Sequence, residues 1–232
     1  MSMLIRNATL CDGRRGVDVL VQGERVAAIG VALPAPEGVP VFDANGALLS
    51  PPFVDPHFHM DATLSYGLPR VNQSGTLLEG IALWGELKPQ LTQEALVERA
   101  LQYCDWAVAK GLLAIRSHVD VCDDRLLAVE ALLHVKERVQ PYLDLQLVAF
   151  PQDGLLRAPT ALANLTRALD LGVDVVGGIP HFERSMAEGA ESVKLLCELA
   201  AERGDAPALH EQVDVAASVG QVGVADQHGA AA

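Results

Sequence analysis

Hydrophobic and polar positions follow two different patterns along this chain. Up to residue 50, short apolar runs are separated by turn signals such as Asp12-Gly13, which predicts β-strands over Leu4–Leu10, Val17–Gln22 and Arg25–Ile29. A β-unit of this size buries little surface alone. We therefore expect it to need partner strands from elsewhere in the chain.

From residue 92 onward, predicted helices and strands alternate in units of about thirty residues. The strands are apolar throughout, which is typical of parallel strands covered by helices. The pattern fits a (β/α) barrel or a doubly wound sheet, and the lack of a glycine-rich phosphate loop weighs against a nucleotide-binding sheet. Helices are predicted over 92–110, 160–172 and 188–203. A further helix is predicted to begin with Asp123 or Asp124 as its N-cap and to end before residue 141. Strands are predicted over 112–119, 143–150 and 174–179.

The predicted strands are too few for a closed barrel. The strand leading into His57 brings their number to four, and a fifth is due just after Gly204, whereas a complete barrel has eight strands in about 250 residues. The sequence therefore predicts an α/β fold with a partial (β/α)8 TIM-type barrel.

The composition changes abruptly after Gly204. Residues 205–232 contain no Lys, Arg, Phe, Tyr, Trp or Ile, and Pro207, which has no amide hydrogen for a ladder, falls where the next strand is due. A natural flexible tail and a frameshift that replaced the true continuation both explain this, and the abruptness favours the frameshift. We expect this aberrant tail to be disordered.

Charge and cysteine content exclude several classes of function. The formal net charge is −13 and basic residues do not cluster, which argues against binding to nucleic acids or anionic membranes. The four cysteines are scattered without a Cys-x-x-Cys pair, as expected for reduced thiols in a cytoplasmic protein. The N-terminus does not look like a signal peptide, and no apolar run approaches membrane-spanning length.

His57 and His59 follow an apolar stretch, residues 46–54, at i, i+2 spacing. On an extended strand such residues point to the same face, so both imidazoles can reach one metal ion. Neutral imidazole suits zinc, iron or nickel. Surface histidines also fall at this spacing by chance, but the position at a strand end that begins a series of βα units favours a metal site.

Functional groups in a βα barrel gather at the C-terminal ends of the strands. Polar groups at these ends would form a cup for a small polar ligand, although they would also serve to cap strands and satisfy loops. For His118 and His181, a direct role and a supporting or structural one both remain open, whereas His134, inside a helix, is expected to be solvated. Besides the His57 strand, the strand ends read Ser117-His118-Val119-Asp120, Phe150-Pro151-Gln152-Asp153 and Ile179-Pro180-His181-Phe182-Glu183.

Several stretches together resemble the N-terminal half of a cytosine deaminase of the amidohydrolase superfamily: 51–61, 72–81, 118–121, 145–152 and 175–183. The resemblance covers roughly residues 1–204. It implies a hydrolase with one divalent metal ion, iron or zinc, in a barrel flanked by a small β-sandwich. The expected domains are an N-terminal β-sandwich portion over 1–50, the first half of the barrel over 51–204 and the tail over 205–232.

The resemblance also implies roles for individual residues. His57 and His59 correspond to two metal ligands, and Gln152 corresponds to a glutamine that binds the amide edge of a pyrimidine. A side-chain amide both donates and accepts, so it matches the mixed hydrogen-bonding edge of such a ring. The implied reaction is hydrolysis of cytosine, or a related heterocycle, to its oxo product and ammonia by a metal-activated water. The intact protein is expected to be a cytoplasmic homo-oligomer in pyrimidine salvage.

The chain departs from the family pattern after residue 204. By residue count His210 falls where a further metal ligand belongs, but Val213 stands at the position of the proton-shuttling glutamate, while Glu211 is adjacent to His210. His210 is either a retained ligand or a coincidence of the shifted tail. The resemblance also implies a histidine on a sixth barrel strand, which has no counterpart here, and His228, in a Gly/Ala-rich stretch, is no credible replacement for it.

No catalytic acid or base is therefore assigned, and the expected aspartate of the last strand has no counterpart. We expect little or no activity from this chain. Two alternatives remain open: an amidohydrolase that acts on another amino-heterocycle or a cyclic amide, and a non-catalytic remnant that associates with a full-length relative.

Overall fold

A computed structural model describes residues 2–204 together with 208–209. The chain divides into two compact units, Met1–Phe53 and Val54–Ala232. The first unit contains strands only: β1 (Ser2–Leu10), β2 (Val17–Gln22), β3 (Arg25–Gly30), β4 (Val41–Asp43) and β5 (Leu48–Leu49). The three strands predicted at the start of the sequence are therefore confirmed.

The sheet of the first unit has the order β3-β2-β1-β4, with β5 also pairing with β1. β1 and β3 are antiparallel to β2, whereas β4 and β5 are parallel to β1. Leu4, Ala8, Val17 and Val19 are its buried apolar residues. They alternate along β1 and β2, as expected for a sheet with one buried face.

The second unit alternates strands with helices. Its strands form one sheet in the sequential order β10-β9-β8-β7-β6, and the sheet is parallel and curled into a half barrel. The predicted partial TIM-type fold is thus confirmed. The elements are β6 (Phe53–Phe58), α1 (Leu77–Leu87), α2 (Gln93–Ala109), β7 (Leu112–Asp120), α3 (Leu127–Val139), β8 (Asp144–Phe150), α4 (Ala161–Leu171), β9 (Val175–Gly178), α5 (Met186–Arg203) and β10 (Ala208–Leu209), with short 3-10 turns at Met60–Ala62, Lys88–Gln90 and Pro180–Phe182.

The core of this unit lies between the sheet and helices α2, α3, α4 and α5. Leu132 and Val135 of α3 and Leu145 and Leu147 of β8 are almost completely buried within it. Burial on both faces explains why the strands read as continuous apolar runs. The packing fixes neighbouring strands side by side, so their C-terminal ends lie along one edge.

The predicted N-cap of helix α2 is observed in the structure, whereas the predicted N-cap of helix α3 is not. Thr92 is the N-cap of α2, and its hydroxyl accepts a hydrogen bond from the Ala95 amide. The prediction that Asp123 or Asp124 caps the next helix is wrong, because α3 starts after Leu126, which has left-handed backbone angles and provides no side-chain cap. Asp124 instead accepts hydrogen bonds from the side chains of Thr160 and Asn164.

Two further elements differ from expectation. Helix α1, between the first barrel strand and α2, was not predicted as a helix; Thr76 caps it by accepting from the Glu79 amide. Ala208–Leu209 pairs with Gly177–Gly178 of β9, although the sequence predicts disorder there. Pairing uses backbone groups that every residue after Pro207 has, so the unusual composition does not prevent it. The rest of the predicted tail lies outside the described residues.

Within the described part of the chain, no helix combines the length and the apolar character needed to cross a membrane.

Candidate metal centre

His57, His59 and His118 form one cluster at the C-terminal ends of β6 and β7. Each offers a ring nitrogen, and these atoms all lie within 4.8 Å of one another. The ring centroids of His57 and His118 are 4.3 Å apart, and each lies 5.4 Å from that of His59. The structure therefore brings the predicted pair together and adds His118, whose role the sequence left open.

The three histidines differ in exposure. His57 is exposed, His59 is half-buried and His118 is buried, so the cluster runs from the surface into the interior of the unit. The ring of Phe150, at the end of β8, meets the rings of His59 and His118 edge-on at 5.5 and 5.2 Å between centroids. This apolar wall limits the positions that the two inner imidazoles can take.

Strand β7 contributes His118 to the histidine cluster, and its neighbouring residues form hydrogen bonds to the backbone and side chain of the segment that follows His59. His118 and Asp120 lie two positions apart and so project on one face, while Ser117 lies on the other. The Ser117 hydroxyl accepts a hydrogen bond from the Met60 amide at 2.9 Å, and the Asp61 carboxylate accepts one from the Asp120 amide at 2.9 Å. These two bonds fix the backbone just after His59 against the end of β7.

Asp61 is itself buried, with 2% of its surface exposed. Burial raises the pKa of its carboxyl to about 7, and the nearby charge of Asp120 adds to the rise, while the hydrogen bond from the Asp120 amide and the charge of Lys88 oppose it. No sequence pattern singles out Asp61, because its role depends on contact with a strand about sixty positions away.

Asp120 is the centre of a second polar cluster. Its Oδ2 lies 2.7 Å from both Trp84 Nε1 and Lys88 Nζ, and its Oδ1 accepts a hydrogen bond from the Cys122 amide at 2.8 Å. Lys88 Nζ also lies 2.7 Å from Asp153 Oδ2. Burial alone would lower the pKa of the Lys88 ammonium, but the two carboxylates hold that pKa above its ordinary value.

Gln152 follows the end of strand β8, as the sequence predicts, and the structure shows that it lies in a tight turn. Its amide donates to the Phe150 carbonyl at 2.9 Å, and the Gly154 amide donates to the Pro151 carbonyl at 2.9 Å. Gln152 is half-buried, and its side-chain amide makes no hydrogen bond within the residues that the structure describes. The turn therefore places the Gln152 side-chain amide, which is available to bind a ligand, two residues after Phe150, whose ring contacts His59 and His118.

The cluster found among the described residues does not include His134 or His181. His134 is exposed on α3, as predicted, and His181 is exposed on the 3-10 turn after β9. Glu183 uses its carboxylate to accept hydrogen bonds from the Leu155 and Leu156 amides. The predicted metal ligand His210 lies outside the described residues.

The donor set fits a divalent metal ion. Three neutral imidazoles converge, and three protein ligands with open positions for water or substrate are typical of catalytic zinc sites. The cluster contains no thiolate, so soft-metal sulfur coordination is not indicated. His57, His59 and His118 are the described residues that could hold such an ion.

Comparison with known proteins agrees with this geometry. Residues 40–225, more than half of the chain, match the model of the Amidohydrolase family. The chain belongs to the amidohydrolase family. Within it, the chain is 33% identical over 208 residues to an N-isopropylammelide isopropyl amidohydrolase of Pseudomonas sp. (strain ADP), covering 86% of this chain and 50% of that protein.

Two solved structures are similar to this chain. A 5-methylcytosine deaminase from Klebsiella pneumoniae, liganded with 5-fluorocytosine, is 41% identical with a TM-score of 0.84, over 90% of this chain and 51% of the other. An N-isopropylammelide isopropylaminohydrolase from Burkholderia multivorans is 30% identical with a TM-score of 0.76, over 90% and 53%. The chain thus spans about half the length of these relatives.

Proposed function

We propose that the chain carries the metal-binding and pyrimidine-binding half of an amidohydrolase active site that deaminates cytosine or a closely related aminopyrimidine. The proposal rests above all on the convergence of three histidines beside the turn that carries Gln152. The similarity to a deaminase liganded with 5-fluorocytosine supports a pyrimidine substrate. The overall reaction would convert cytosine and water to uracil and ammonia.

The residues of this chain would bind and orient the reactants. The Gln152 amide can donate one hydrogen bond and accept another, which suits the alternating donors and acceptors along the edge of cytosine. The ring of Phe150 excludes water from one side of His59 and His118. A divalent ion held by the histidines supplies Lewis acidity and lowers the pKa of water, which is the chemistry that hydrolysis of a carbon–nitrogen bond needs.

Metal binding is the first test. After treatment with a chelator and reloading with Zn²⁺ or, without oxygen, Fe²⁺, we expect the purified chain to retain about one equivalent of metal after gel filtration. His57→Ala, His59→Ala and His118→Ala should each reduce the retained metal, since each removes one donor. His134→Ala, at an exposed position on α3, is the matched control.

A fourth variant, His210→Ala, separates the two possible ligand sets. A loss of metal as large as that of His57→Ala would make His210 a ligand; an unchanged content would leave the three described histidines as the donor set. Retention of full metal by His57→Ala would contradict the proposed centre.

Substrate binding is the second test. Titration calorimetry of the zinc-loaded chain with 5-fluorocytosine should show binding that Gln152→Ala weakens by about tenfold or more, the usual loss when a specific polar contact is removed. Ammonia release from cytosine, measured in parallel, should be slow, and His57→Ala should abolish it. Cytosine turnover that survives His57→Ala would argue against the centre as the site of reaction.

A substituted aminotriazine is the second candidate substrate. It is favoured by the similarity to N-isopropylammelide amidohydrolases, at 33% and 30% identity. Its ring carries a comparable alternation of donors and acceptors, so Gln152 alone does not separate the two candidates. Parallel titrations with cytosine and N-isopropylammelide do so, and tighter binding of the triazine would replace the pyrimidine proposal.

A further inference from the structure

We propose that Lys88 is a positioning residue, which holds the turn over residues 151–154 against the end of β7 and thereby sets Gln152 for its ligand. The role for the ligand rests on the function proposed above. The role for the turn rests on contacts within the described structure alone. Lys88 directly follows helix α1 and does not lie at a strand end, so the spacing of residues along the sequence does not point to this role.

The first step is that Lys88 is fixed on the side of β7. The Lys88 side chain is 12% exposed, and its Nζ lies 2.7 Å from Asp120 Oδ2. The Asp120 side chain is itself only 3% exposed. That carboxylate is held in place by hydrogen bonds from Trp84 Nε1 and the Cys122 amide. Since burial excludes competing water, the geometry of this pair is strongly determined.

The second step is that the same ammonium group holds the turn. Lys88 Nζ lies 2.7 Å from Asp153 Oδ2, next to Gln152 in sequence. The Asp153 amide also donates to Cys122 Sγ at 3.4 Å, and the Leu155 amide donates to the Glu183 carboxylate at 2.6 Å. The turn and Leu155, the residue after it, therefore bind three neighbouring segments, and Lys88 supplies the cation among these contacts.

The third step is electrostatic. The carboxylates of Asp120 and Asp153 both lie within hydrogen-bond distance of one nitrogen, so they repel each other once its charge is removed. Asp120 is buried and held by other donors, whereas the Asp153 side chain is 43% exposed. Asp153 is the partner that can move into water, and its movement displaces Gln152.

Hydrogen exchange without any ligand tests the positioning directly. In Lys88→Met we expect amides of residues 153–155 to exchange about tenfold faster or more, because local opening becomes easier, while β1 and β2 amides keep their rates. Lys88→Arg should restore most of the protection, since it keeps the charge. The control is Lys194→Met, which removes an exposed lysine of α5 whose ion pairs, among the described residues, are with Glu191 and Glu198 of its own helix.

A second variant covers the case in which Lys88→Met fails to fold. Asp153→Asn keeps the Lys88–Asp120 pair and weakens only the tie to the turn, so it should raise exchange at the same amides. Where both single variants fold, the double variant should show little more exchange than either alone, because both remove one interaction. Wild-type protection of the turn in Lys88→Met or Asp153→Asn overturns the proposal.

The ligand measurement separates this proposal from the proposed function. For the zinc-loaded chain, 5-fluorocytosine should bind several-fold more weakly to Lys88→Met than to wild type at equal metal content. If wild type binds no pyrimidine, the proposed function fails, and exchange alone decides whether Lys88 holds the turn. Faster exchange with unchanged affinity contradicts the role in setting Gln152.

Discussion

The carboxylate of Asp18 stabilises the irregular stretch of strand β1 by accepting two backbone hydrogen bonds. The register of β1 against β2 shifts between Ile5 and Ala8, and Asn7 there has a φ of 54°. Asp18, only 5% exposed, accepts hydrogen bonds from the amides of Asn7 and Leu33, both at 3.1 Å. One side chain thereby satisfies two backbone donors that the sheet leaves unpaired.

Asp18→Ala should therefore destabilise this unit by about 1–3 kcal/mol, since two amides lose their acceptor. The unit contains no Trp or Tyr, so hydrogen exchange of β1 and β2 peptides is the suitable measurement. Asp12→Ala is the control, because Asp12 lies in an exposed turn with Arg14. Equal protection in the two variants would contradict the assigned role.

The four thiols should differ in reactivity. Cys11 and Cys197 are exposed and Cys104 is buried. Burial, more than nearby charges, raises the pKa of the Cys104 thiol to about 11 and the pKa of Cys122 still further. A raised pKa lowers the thiolate fraction at pH 8, and thiolate is the reactive form.

With a chromogenic disulfide reagent at pH 8 we thus expect two fast and two slow thiols, and four fast ones in denaturant. Raising the pH to 9 should speed the reaction of Cys11 and Cys197 and leave Cys104 and Cys122 slow. A variant with both Cys11→Ser and Cys197→Ser should lose the fast phase. A fast phase that persists there would show that burial does not protect the inner thiols.

At the level of residues, the site was predictable where it depends on spacing along one strand. The i, i+2 rule brings His57 and His59 together. His118, Asp61 and Lys88 depend instead on which strands are neighbours and in what register, and a sequence pattern does not contain this information. The polar network around Asp120 therefore became visible only in three dimensions.

Among the secondary-structure elements, α2 offers a clean test of local sequence control. The Thr92 hydroxyl accepts from the Ala95 amide at 3.3 Å. Thr92→Ala should cost about 1 kcal/mol, the usual value for a lost N-cap. Urea unfolding followed by the fluorescence of Trp106, which lies on this helix, measures the change. Thr166→Ala, whose hydroxyl donates within α4 at an exposed position, should change stability by less.

The elements were predictable wherever hydrophobic periodicity and caps agree. The alternation of helices and strands from 92 to 203 follows directly from apolar runs and stop signals such as Gly111 and Gly172. The start of α3 was not predictable, since Leu126 adopts left-handed backbone angles that its residue type rarely takes. Hydrogen bonds from Thr160 and Asn164, at the start of α4, engage the Asp124 side chain instead of capping there.

For the molecule as a whole, the charge balance predicts its behaviour towards polyanions. The chain has 30 acidic against 17 basic side chains. We expect no retardation of duplex DNA in gels and no retention on heparin at low salt, where electrostatic attraction would be strongest. A basic protein of similar size is the control. Retention that falls with added salt would reveal a cationic surface that the composition does not suggest.

The histidine cluster has a consequence for the order of events during translation. All three imidazoles lie between positions 57 and 118, whereas Gln152 follows 34 residues after His118. At about 5–20 residues per second, the ribosome delivers the three imidazoles about 2–7 seconds before the turn that carries Gln152. On the function proposed above, a nascent chain therefore presents its three metal donors before the turn proposed to contact the substrate, so metal binding can precede substrate binding during synthesis.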